Sequence, residues 1–286
     1  MKHETQYLTG AGGVSLYAQR WLPGGEPKAK LLLIHGYAEH SGRYATLAEF
    51  LTGKGYAVYA YDHRGHGHSP GKRAYIDRFS LLLKDLTAGL DWVREDGDDK
   101  PLFLFGQSMG GAVVTLYCLS RNPDLRGVIL SGAMLKVSED LAPFLRKFSS
   151  VIGGLLPRLP TIKFVPEFLS RDSKAVQAYI HDPLNYNGRV IARTGAEMLQ
   201  AAGELEGQLR RFDYPVLILH GEEDKITEPE ASQMLFQQAA SRDKTFKTYP
   251  GAYHELLHEL NKEEVMADIL AWMEARLAHT AEPETP

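Results

Sequence analysis

The sequence has 286 residues, of which 44% are hydrophobic and 24% charged, and its formal net charge is −4. This composition is typical of a soluble globular protein, and the negative balance excludes nucleic acid as the main partner. The single cysteine, Cys118, allows no intramolecular disulfide, which suits a reducing compartment. No apolar leader follows Met1 and no uncharged apolar run has the length of a membrane span. A cytoplasmic location is therefore expected.

Strands and helices are predicted to alternate along most of the chain. Two strands come first, near Thr5–Thr9 and over Val14–Trp21, where alternating side chains indicate half-buried strands. The later strands are predicted at residues 31–34, 57–61, 102–105, 127–131, 215–219 and 245–249. The run at residues 31–34 is continuously apolar, as in the buried strands of a parallel sheet. Helices are predicted at residues 44–54, 79–94, after Gly110, and at 230–240 and 262–278. This order predicts a mostly parallel α/β sheet with helices on both faces.

One interval, residues 135–211, does not follow the alternation. It contains no clear strand and is rich in Leu, Phe, Pro and Ile. We interpret it as a helical cap inserted into a core formed by residues 1–134 and 212–279. The last residues, 280–286, are expected to be a disordered tail.

The stretch Gly106-Gln107-Ser108-Met109-Gly110 joins a predicted strand to a predicted helix. It has the G-x-S-x-G pattern of a nucleophile elbow, in which a strained turn exposes the serine hydroxyl above the sheet. The N-terminus of the helix that follows favours negative charge beside the serine. The alternative is an ordinary strand–loop–helix connection, which the pattern alone does not exclude.

An acid and a base follow the serine in the order that this elbow requires. Asp224 lies in the loop after the strand ending at Leu219, and His254 lies in the loop after the strand ending at Tyr249. Because the carboxyl ends of parallel strands meet at one edge of a sheet, both are expected near Ser108. The acids that compete with Asp224 for this role are Glu222, Glu223 and Glu255.

Acyl transfer also needs donors for an oxyanion. The backbone N–H of Met109, directly after the serine, is one candidate. The loop after the strand at residues 31–34 supplies the other, the N–H of Tyr37.

Three histidines, His63, His66 and His68, follow Asp62 and raise the question of a metal site. They are interleaved with glycines and no Asp-His pair follows, so we interpret them as a structural loop near the elbow and predict no metal. Neither G-x-G-x-x-G nor the P-loop pattern occurs, and no cofactor is predicted.

Together these motifs resemble those of the α/β-hydrolases and, more narrowly, of the monoacylglycerol lipase family, also called lysophospholipase-like serine hydrolases. The matching segments are His35-Gly36, Glu39-His40-Ser41-Gly42-Arg43-Tyr44, Asp62 with Arg64-Gly65-His66-Gly67 and Ser69, Gly106–Gly111, Tyr179–Leu184 and Gly251–His254. The resemblance implies the α/β-hydrolase fold, with a mostly parallel eight-stranded sheet and a helical cap.

The resemblance also implies a reaction and the residues that perform it. The reaction is hydrolysis of a small lipid ester, a monoacylglycerol, to glycerol and a fatty acid. Ser108 resembles the family's nucleophile, Asp224 its acid and His254 its base, and Tyr37 and Met109 resemble its oxyanion donors. The residues that fall on the glycerol end of the family's pocket are Glu39, Arg43 and Tyr179.

Two positions depart from the family pattern. Ala38 stands where glycine is frequent, beside the predicted oxyanion site. Some relatives carry a second histidine three residues after the catalytic one, but here Leu257 occupies that position and His258 follows it. For that reason His258 is left out of the predicted glycerol site.

Several alternatives remain open at this point. The same scaffold could serve a broad carboxylesterase, a lysophospholipase or an aromatic-acid esterase, and a binding receptor could keep the fold without turnover. The apolar cap carries interspersed basic residues, Arg146, Lys147, Arg158 and Lys163, which suit contact with a membrane or micelle surface. The alternative is that this face of the cap is buried on the sheet.

Overall fold

The computed structural model describes residues 1–96, 100–136 and 151–278 of the chain. Ten strands are described in these ranges: β1 Lys2–Thr9, β2 Ser15–Leu22, β3 Lys30–Ile34, β4 Ala57–Tyr61, β5 Leu102–Gln107, β6 Gly127–Ser131, β7 Pro160–Lys163, β8 Arg189–Ile191, β9 Val216–Gly221 and β10 Lys244–Tyr249. The α-helices with both ends described are α1 Ala45–Gly53, α2 Phe79–Glu95, α3 Met109–Arg121, α4 Ser173–His181, α5 Ala192–Glu206, α6 Pro229–Gln238 and α7 Lys262–Ala278. Residues 151–155 are also helical.

Eight of the described strands form one sheet in the order β1-β2-β4-β3-β5-β6-β9-β10. The pairs β1/β2 and β2/β4 are antiparallel, and each later neighbouring pair is parallel. The mostly parallel eight-stranded sheet and its two antiparallel N-terminal strands are therefore confirmed. Because the parallel strands all point the same way, the loops after β3, β5, β9 and β10 open at one edge.

The apolar strands bury both of their faces. In β3, Leu32 and Ile34 join the core on one side of the sheet, with helices α2 and α3, whereas Leu31 and Leu33 join the core on the other side, with α1 and α7. This division follows from the alternation of side chains along a strand. It explains why these segments are continuous apolar runs without polar interruptions.

The described part of the interval between β6 and β9 contains helices α4 and α5, but the expectation that it contains no strand was wrong. Strands β7 and β8 pair antiparallel as a separate two-stranded sheet. They have only four and three residues and their side chains are mostly exposed, so they leave no clear apolar period in the sequence. Helix α5 packs on the core, where Leu205 is fully buried.

Some predictions concern residues that lie outside the described ranges. They include the predicted disordered tail, residues 280–286, and two of the basic residues that suit contact with a membrane or micelle surface, Arg146 and Lys147. In the described ranges, no helix has the length and apolarity needed to cross a membrane.

Candidate active site

Ser108 lies at the tip of the turn between β5 and α3, with a backbone φ of 52° and ψ of −117°. A non-glycine residue rarely adopts such a conformation, which is characteristic of a nucleophile elbow. The flanking glycines permit it. A Cβ atom on Gly110 would lie 2.1 Å from the carbonyl oxygen of Ile34, and one on Gly106 would lie 2.7 Å from the carbonyl oxygen of Gly110. The spacing of the motif therefore reflects close contact between backbone segments.

The loop after β3 passes directly over this turn. A Cβ atom on Gly36 would lie 3.3 Å from the Cβ of Ser108, so the absence of a side chain at Gly36 lets the loop approach the serine. Among the hydrogen bonds of the described residues, none uses the backbone N–H of Tyr37 or that of Met109. Met109 is the first residue of α3, where a helix N–H has no partner within the helix. Both predicted oxyanion donors thus remain available beside Ser108.

The Gly36–Tyr37 peptide is fixed by its neighbours. The backbone N–H of Gly36 donates to Glu39 Oε1 at 2.6 Å. His35 Nε2 accepts from the N–H of His63 at 2.9 Å, so the ring proton is on Nδ1, which donates to the carbonyl oxygen of Gly36 at 2.7 Å. Burial lowers the pKa of His35 well below its ordinary value, which keeps the ring neutral.

Asp224 and His254 are in contact, as the sequence predicts. His254 Nδ1 donates to Asp224 Oδ2 at 2.7 Å, and His254 is only 3% exposed. The other carboxylate oxygen, Oδ1, accepts from the backbone N–H groups of Ile226 and Thr227 at 2.7 and 3.0 Å. These bonds leave His254 Nε2 as the nitrogen that can accept a proton.

The two pKa values are displaced in opposite directions. Burial alone would raise the pKa of Asp224, but His254 and His220 lower it far below the ordinary range of a carboxyl group. Burial would likewise lower the pKa of His254, yet the charge and hydrogen bond of Asp224 raise it above 6.5. The Asp224 carboxylate therefore remains ionised and stabilises the protonated form of the His254 ring.

Ser108 and His254 line one cavity of about 320 Å³. The structure shows no hydrogen bond between the Ser108 hydroxyl and the ring of His254, both of which are described. Such a bond is frequently long in an enzyme without substrate and shortens when the substrate binds. The wall is otherwise largely apolar. The interval predicted as a cap, residues 135–211, which we call the cap interval, contributes side chains such as Ile162, Phe164, Val190 and Leu199.

The three residues predicted to bind glycerol lie at different depths. Glu39 lines the cavity, whereas Arg43 and Tyr179 are not among the described residues that line it. Arg43 Nη1 donates to Glu39 Oε2 at 2.8 Å, and the Arg43 guanidinium lies 4.8 Å from the centre of the Tyr179 ring. The Tyr179 hydroxyl donates to the carbonyl oxygen of Ala38 at 2.9 Å. Their role as glycerol ligands stays a prediction.

Glu255, which the sequence analysis considered only as an alternative to Asp224, pairs with Arg43 and not with His254. Its carboxylate accepts two bonds from Arg43, at 2.5 and 2.6 Å, and it also lines the cavity. Burial would raise the pKa of Glu255, but Arg43 lowers it below the ordinary value. For Glu39, burial prevails and raises the pKa. Of the remaining competing acids, Glu222 accepts from the Thr248 hydroxyl instead.

Sequence reasoning missed three residues that support the Asp–His pair. His220 Nδ1 accepts from the Ser232 hydroxyl at 2.7 Å, and its Nε2 donates to Asp224 Oδ2 at 3.1 Å. The Thr227 hydroxyl also contacts Asp224 Oδ2, at 2.9 Å. The Gln107 side-chain amide donates to the backbone carbonyl of His254 at 3.2 Å. One feature of the sequence could have indicated this role for His220: it lies near the end of a predicted strand, four residues before Asp224.

The histidine loop lies against the oxyanion loop. The rings of His35 and His63 are 4.4 Å apart, and those of Tyr37 and His66 are 5.8 Å apart. Within the described ranges, no group of three or more His, Cys, Asp or Glu side chains is placed to hold a metal ion. His63 and His66 instead pack together behind the predicted oxyanion donor.

The sheet, the elbow and the loops at its edge are those of an α/β-hydrolase. Residues 25–261 match the family described as serine aminopeptidase, S33. The chain is 34% identical to human monoglyceride lipase, over 98% of this chain and 93% of that protein, and 32% identical to Mycolicibacterium smegmatis monoacylglycerol lipase, over 94% and 96%. The crystal structure of a monoacylglycerol lipase from Paleococcus ferrophilus has a TM-score of 0.81 and 35% identity, covering 91% of this chain and 99% of that one.

The chain therefore belongs to the serine hydrolase family that residues 25–261 match. The human and mycobacterial monoacylglycerol lipases are its relatives. The family resemblance predicted from the motifs is confirmed.

Proposed function

We propose that this protein is a serine hydrolase that cleaves monoacylglycerols to glycerol and a free fatty acid. The observation that carries the proposal is the composition of the cavity wall. Two buried carboxylates, Glu39 and Glu255, lie on the wall that also contains Ser108 and His254, and the cap interval supplies a largely apolar wall. Carboxylates accept hydrogen bonds from hydroxyl groups, and apolar side chains favour an acyl chain.

The first half of the reaction forms an acyl-enzyme. Ser108 Oγ attacks the ester carbonyl carbon while His254 Nε2 takes the hydroxyl proton. The negative charge that develops on the carbonyl oxygen accepts bonds from the N–H groups of Tyr37 and Met109. The carbon–oxygen bond to glycerol then breaks, and the proton on His254 passes to the departing glycerol oxygen. Asp224 holds the ring in the required tautomer throughout.

The second half of the reaction releases the acid. A water molecule gives a proton to His254 Nε2 and attacks the acyl carbon through the same oxyanion site. The bond to Ser108 Oγ breaks, the serine recovers its proton from His254, and the fatty acid leaves. The raised pKa of His254 favours the protonated ring that both halves pass through.

The alcohol part of the substrate faces Glu39 and Glu255 in this proposal. Arg43 neutralises one carboxylate charge, so an ionised pair retains a net negative charge. A phosphate group placed there would be repelled in a site of low dielectric. The neutral hydroxyls of glycerol are the better match, which argues against a lysophospholipid as the main substrate.

A panel of esters with one acyl chain and different alcohols tests this proposal. The panel contains a monoacylglycerol, the lysophosphatidylcholine and lysophosphatidate with the same chain, and the p-nitrophenyl ester. We expect kcat/KM to be highest for the monoacylglycerol and lowest for the lysophosphatidate. Similar values across the panel support a broad carboxylesterase, and preference for a phospholipid supports a lysophospholipase. Binding without turnover of any ester supports a receptor.

We further propose that the cap docks on lipid surfaces. The cap interval exposes the large apolar side chains Val151, Leu155, Leu156, Leu159 and Ile162, and Leu155 is 78% exposed. The basic residues Arg158 and Lys163 are exposed among them. Apolar side chains interspersed with cations suit the boundary of an anionic lipid layer.

Sedimentation with anionic phosphatidylglycerol vesicles tests this surface. Leu155→Ser combined with Leu156→Ser should reduce the bound fraction. Leu260→Ser, which alters a leucine outside the cap interval that is 64% exposed, is the control. Equal binding by the cap variant and the control would contradict the docking proposal.

A further inference from the structure

The loop after β3 is tied to the cap interval by a set of contacts that we call the clasp, formed by Tyr179, Asp182 and Tyr186 with Ala38 and His40. The Tyr179 hydroxyl and the backbone N–H of Tyr186 each donate to the carbonyl oxygen of Ala38 at 2.9 Å. His40 Nδ1 accepts from the N–H of Gly42, so its Nε2 carries the proton that is donated to Asp182 Oδ2 at 2.9 Å. The clasp thus joins segments about 140 residues apart in the sequence.

Ala38 needs such support because of its backbone conformation. Its φ is 67°, in the left-handed region that alanine disfavours and glycine adopts readily. It is also buried, at 1% exposure, so the strain is not relieved by movement into solvent. The two bonds to its carbonyl oxygen fix the direction of the peptide that follows Ala38.

This strained residue is the direct neighbour of Tyr37, whose N–H is the proposed oxyanion donor. On the other side of Tyr37, the N–H of Gly36 donates to the Glu39 side chain, so residues 36–39 form a closed turn. If φ of Ala38 changes, other backbone dihedral angles of that turn must also change for its two ends to stay in contact. Because Glu39 holds Gly36, the compensation falls on the peptide planes on either side of Tyr37.

Tyr179 is suited to hold this turn without touching the substrate. It is 2% exposed and is not among the described residues that line the cavity. The Arg43 guanidinium lies over its ring at 4.8 Å, and the side-chain amide of Asn185 donates to its backbone carbonyl at 3.0 Å. Its hydroxyl is therefore held in place toward Ala38.

We propose that Tyr179 is a positioning residue that keeps Ala38 left-handed and thereby aims the Tyr37 N–H at the oxyanion. The inference rests on the proposed function, since it assigns Tyr37 as a donor. If the Tyr37 N–H no longer points at the oxyanion, both halves of the reaction become slower, because acylation and deacylation use the same oxyanion site. The effect should be independent of the alcohol part of the ester.

The test is Tyr179→Phe, with Tyr214→Phe as the matched control. The Tyr179 hydroxyl lies near two carbonyl oxygens, that of Ala38 at 2.9 Å and that of Tyr186 at 3.3 Å. The Tyr214 hydroxyl likewise has two oxygen partners, Asn122 Oδ1 at 2.8 Å and the carbonyl oxygen of Pro123 at 3.0 Å, and none of these residues belongs to the clasp. We expect Tyr179→Phe to lower kcat about tenfold on a monoacylglycerol and equally on a p-nitrophenyl ester, with KM changed less than about twofold. Tyr214→Phe should leave kcat on both esters unchanged.

A second variant separates positioning from a general loss of structure. Glycine at position 38 adopts the left-handed conformation freely, so the Tyr179→Phe loss should shrink to about threefold or less in an Ala38→Gly background. A merely structural loss would persist there. An undiminished loss, a loss confined to the glycerol ester with a raised KM, or wild-type kcat for Tyr179→Phe would each overturn the inference. Failure of the proposed function is recognised separately, by ester turnover that survives Ser108→Ala.

Discussion

The buried charge network of Glu39, Arg43 and Glu255 yields a sharp prediction for Arg43→Met. The Arg43 guanidinium bonds both carboxylate oxygens of Glu255 and one of Glu39. The exposed fractions of the three side chains are 7%, 5% and 3%. Methionine fills much of the same space without the charge, so the two carboxylates lose their shared partner. Breaking a buried ion pair in this way destabilises a protein by about 3–5 kcal/mol.

Arg20→Met is the matched control. Arg20 also pairs with two carboxylates, those of Glu4 and Asp96, but these side chains are 22–28% exposed. Surface pairs of this kind contribute about 0–1 kcal/mol. Urea unfolding followed by both circular dichroism and fluorescence gives the free energy of unfolding and shows whether the transition is two-state. If Arg43→Met loses no more stability than Arg20→Met, the buried network does not have the energetic role assigned to it.

The same experiment has a pH dependence with a defined sign. Arg43 holds the pKa of Glu255 below its ordinary value of 4.5 against the opposing effect of burial. The contribution of Glu255 to stability is therefore present above about pH 4.5 and lost as the pH falls through the lower folded-state pKa. In the Arg43→Met variant the unpaired carboxyl group is relieved by protonation. The stability deficit should thus be larger at pH 7 than at pH 4.

Three further predictions follow from the site and its support. Ala38→Gly should raise the free energy of unfolding by about 1 kcal/mol, measured by urea unfolding, because glycine removes the left-handed strain; a loss of stability would contradict this. The acid limb of the pH profile of kcat/KM should have its midpoint above pH 6.5 because the pKa of His254 is raised, and a midpoint below pH 6.5 would contradict this. In the same assay, Asp224→Asn should lower kcat about 10⁴-fold. Gly110→Ala should prevent soluble expression because its Cβ would meet the Ile34 carbonyl at 2.1 Å, whereas Gly203→Ala, in open space within α5, should be tolerated; normal folding of both would show that the elbow relaxes.

Much of the site could be predicted because its signals are local. Ser108, Asp224 and His254 each follow a predicted strand, and parallel strands bring such loops to one edge of the sheet. The Gly106 and Gly110 positions reflect contacts within a few ångströms of the elbow, so they are visible in a short motif. Backbone donors such as the Tyr37 N–H depend on chain position and are equally accessible to this reasoning.

The remaining features depend on contacts between distant segments. Arg43 and Glu255 are 212 residues apart, and no local pattern pairs them. The bond from Tyr179 to Ala38 spans 141 residues. Strands β7 and β8 pair across a segment that contains helix α4, and both are too short to show a period. Even where the sequence drew attention to Ala38, its left-handed conformation became evident only from the structure.

The assignment of Ser108 as the nucleophile of an ester hydrolase is tested most directly by covalent labelling of its hydroxyl, in which the serine oxygen attacks the phosphorus of a fluorophosphonate and displaces fluoride. The purified protein is treated with a fluorophosphonate ester probe, digested and analysed by mass spectrometry, and hydrolysis of a monoacylglycerol is measured in parallel. We predict one adduct, on the peptide that contains Ser108, together with complete loss of turnover. In Ser108→Ala both labelling and hydrolysis should disappear. An adduct on another residue, or turnover that survives Ser108→Ala, would contradict the assignment of Ser108 as the nucleophile.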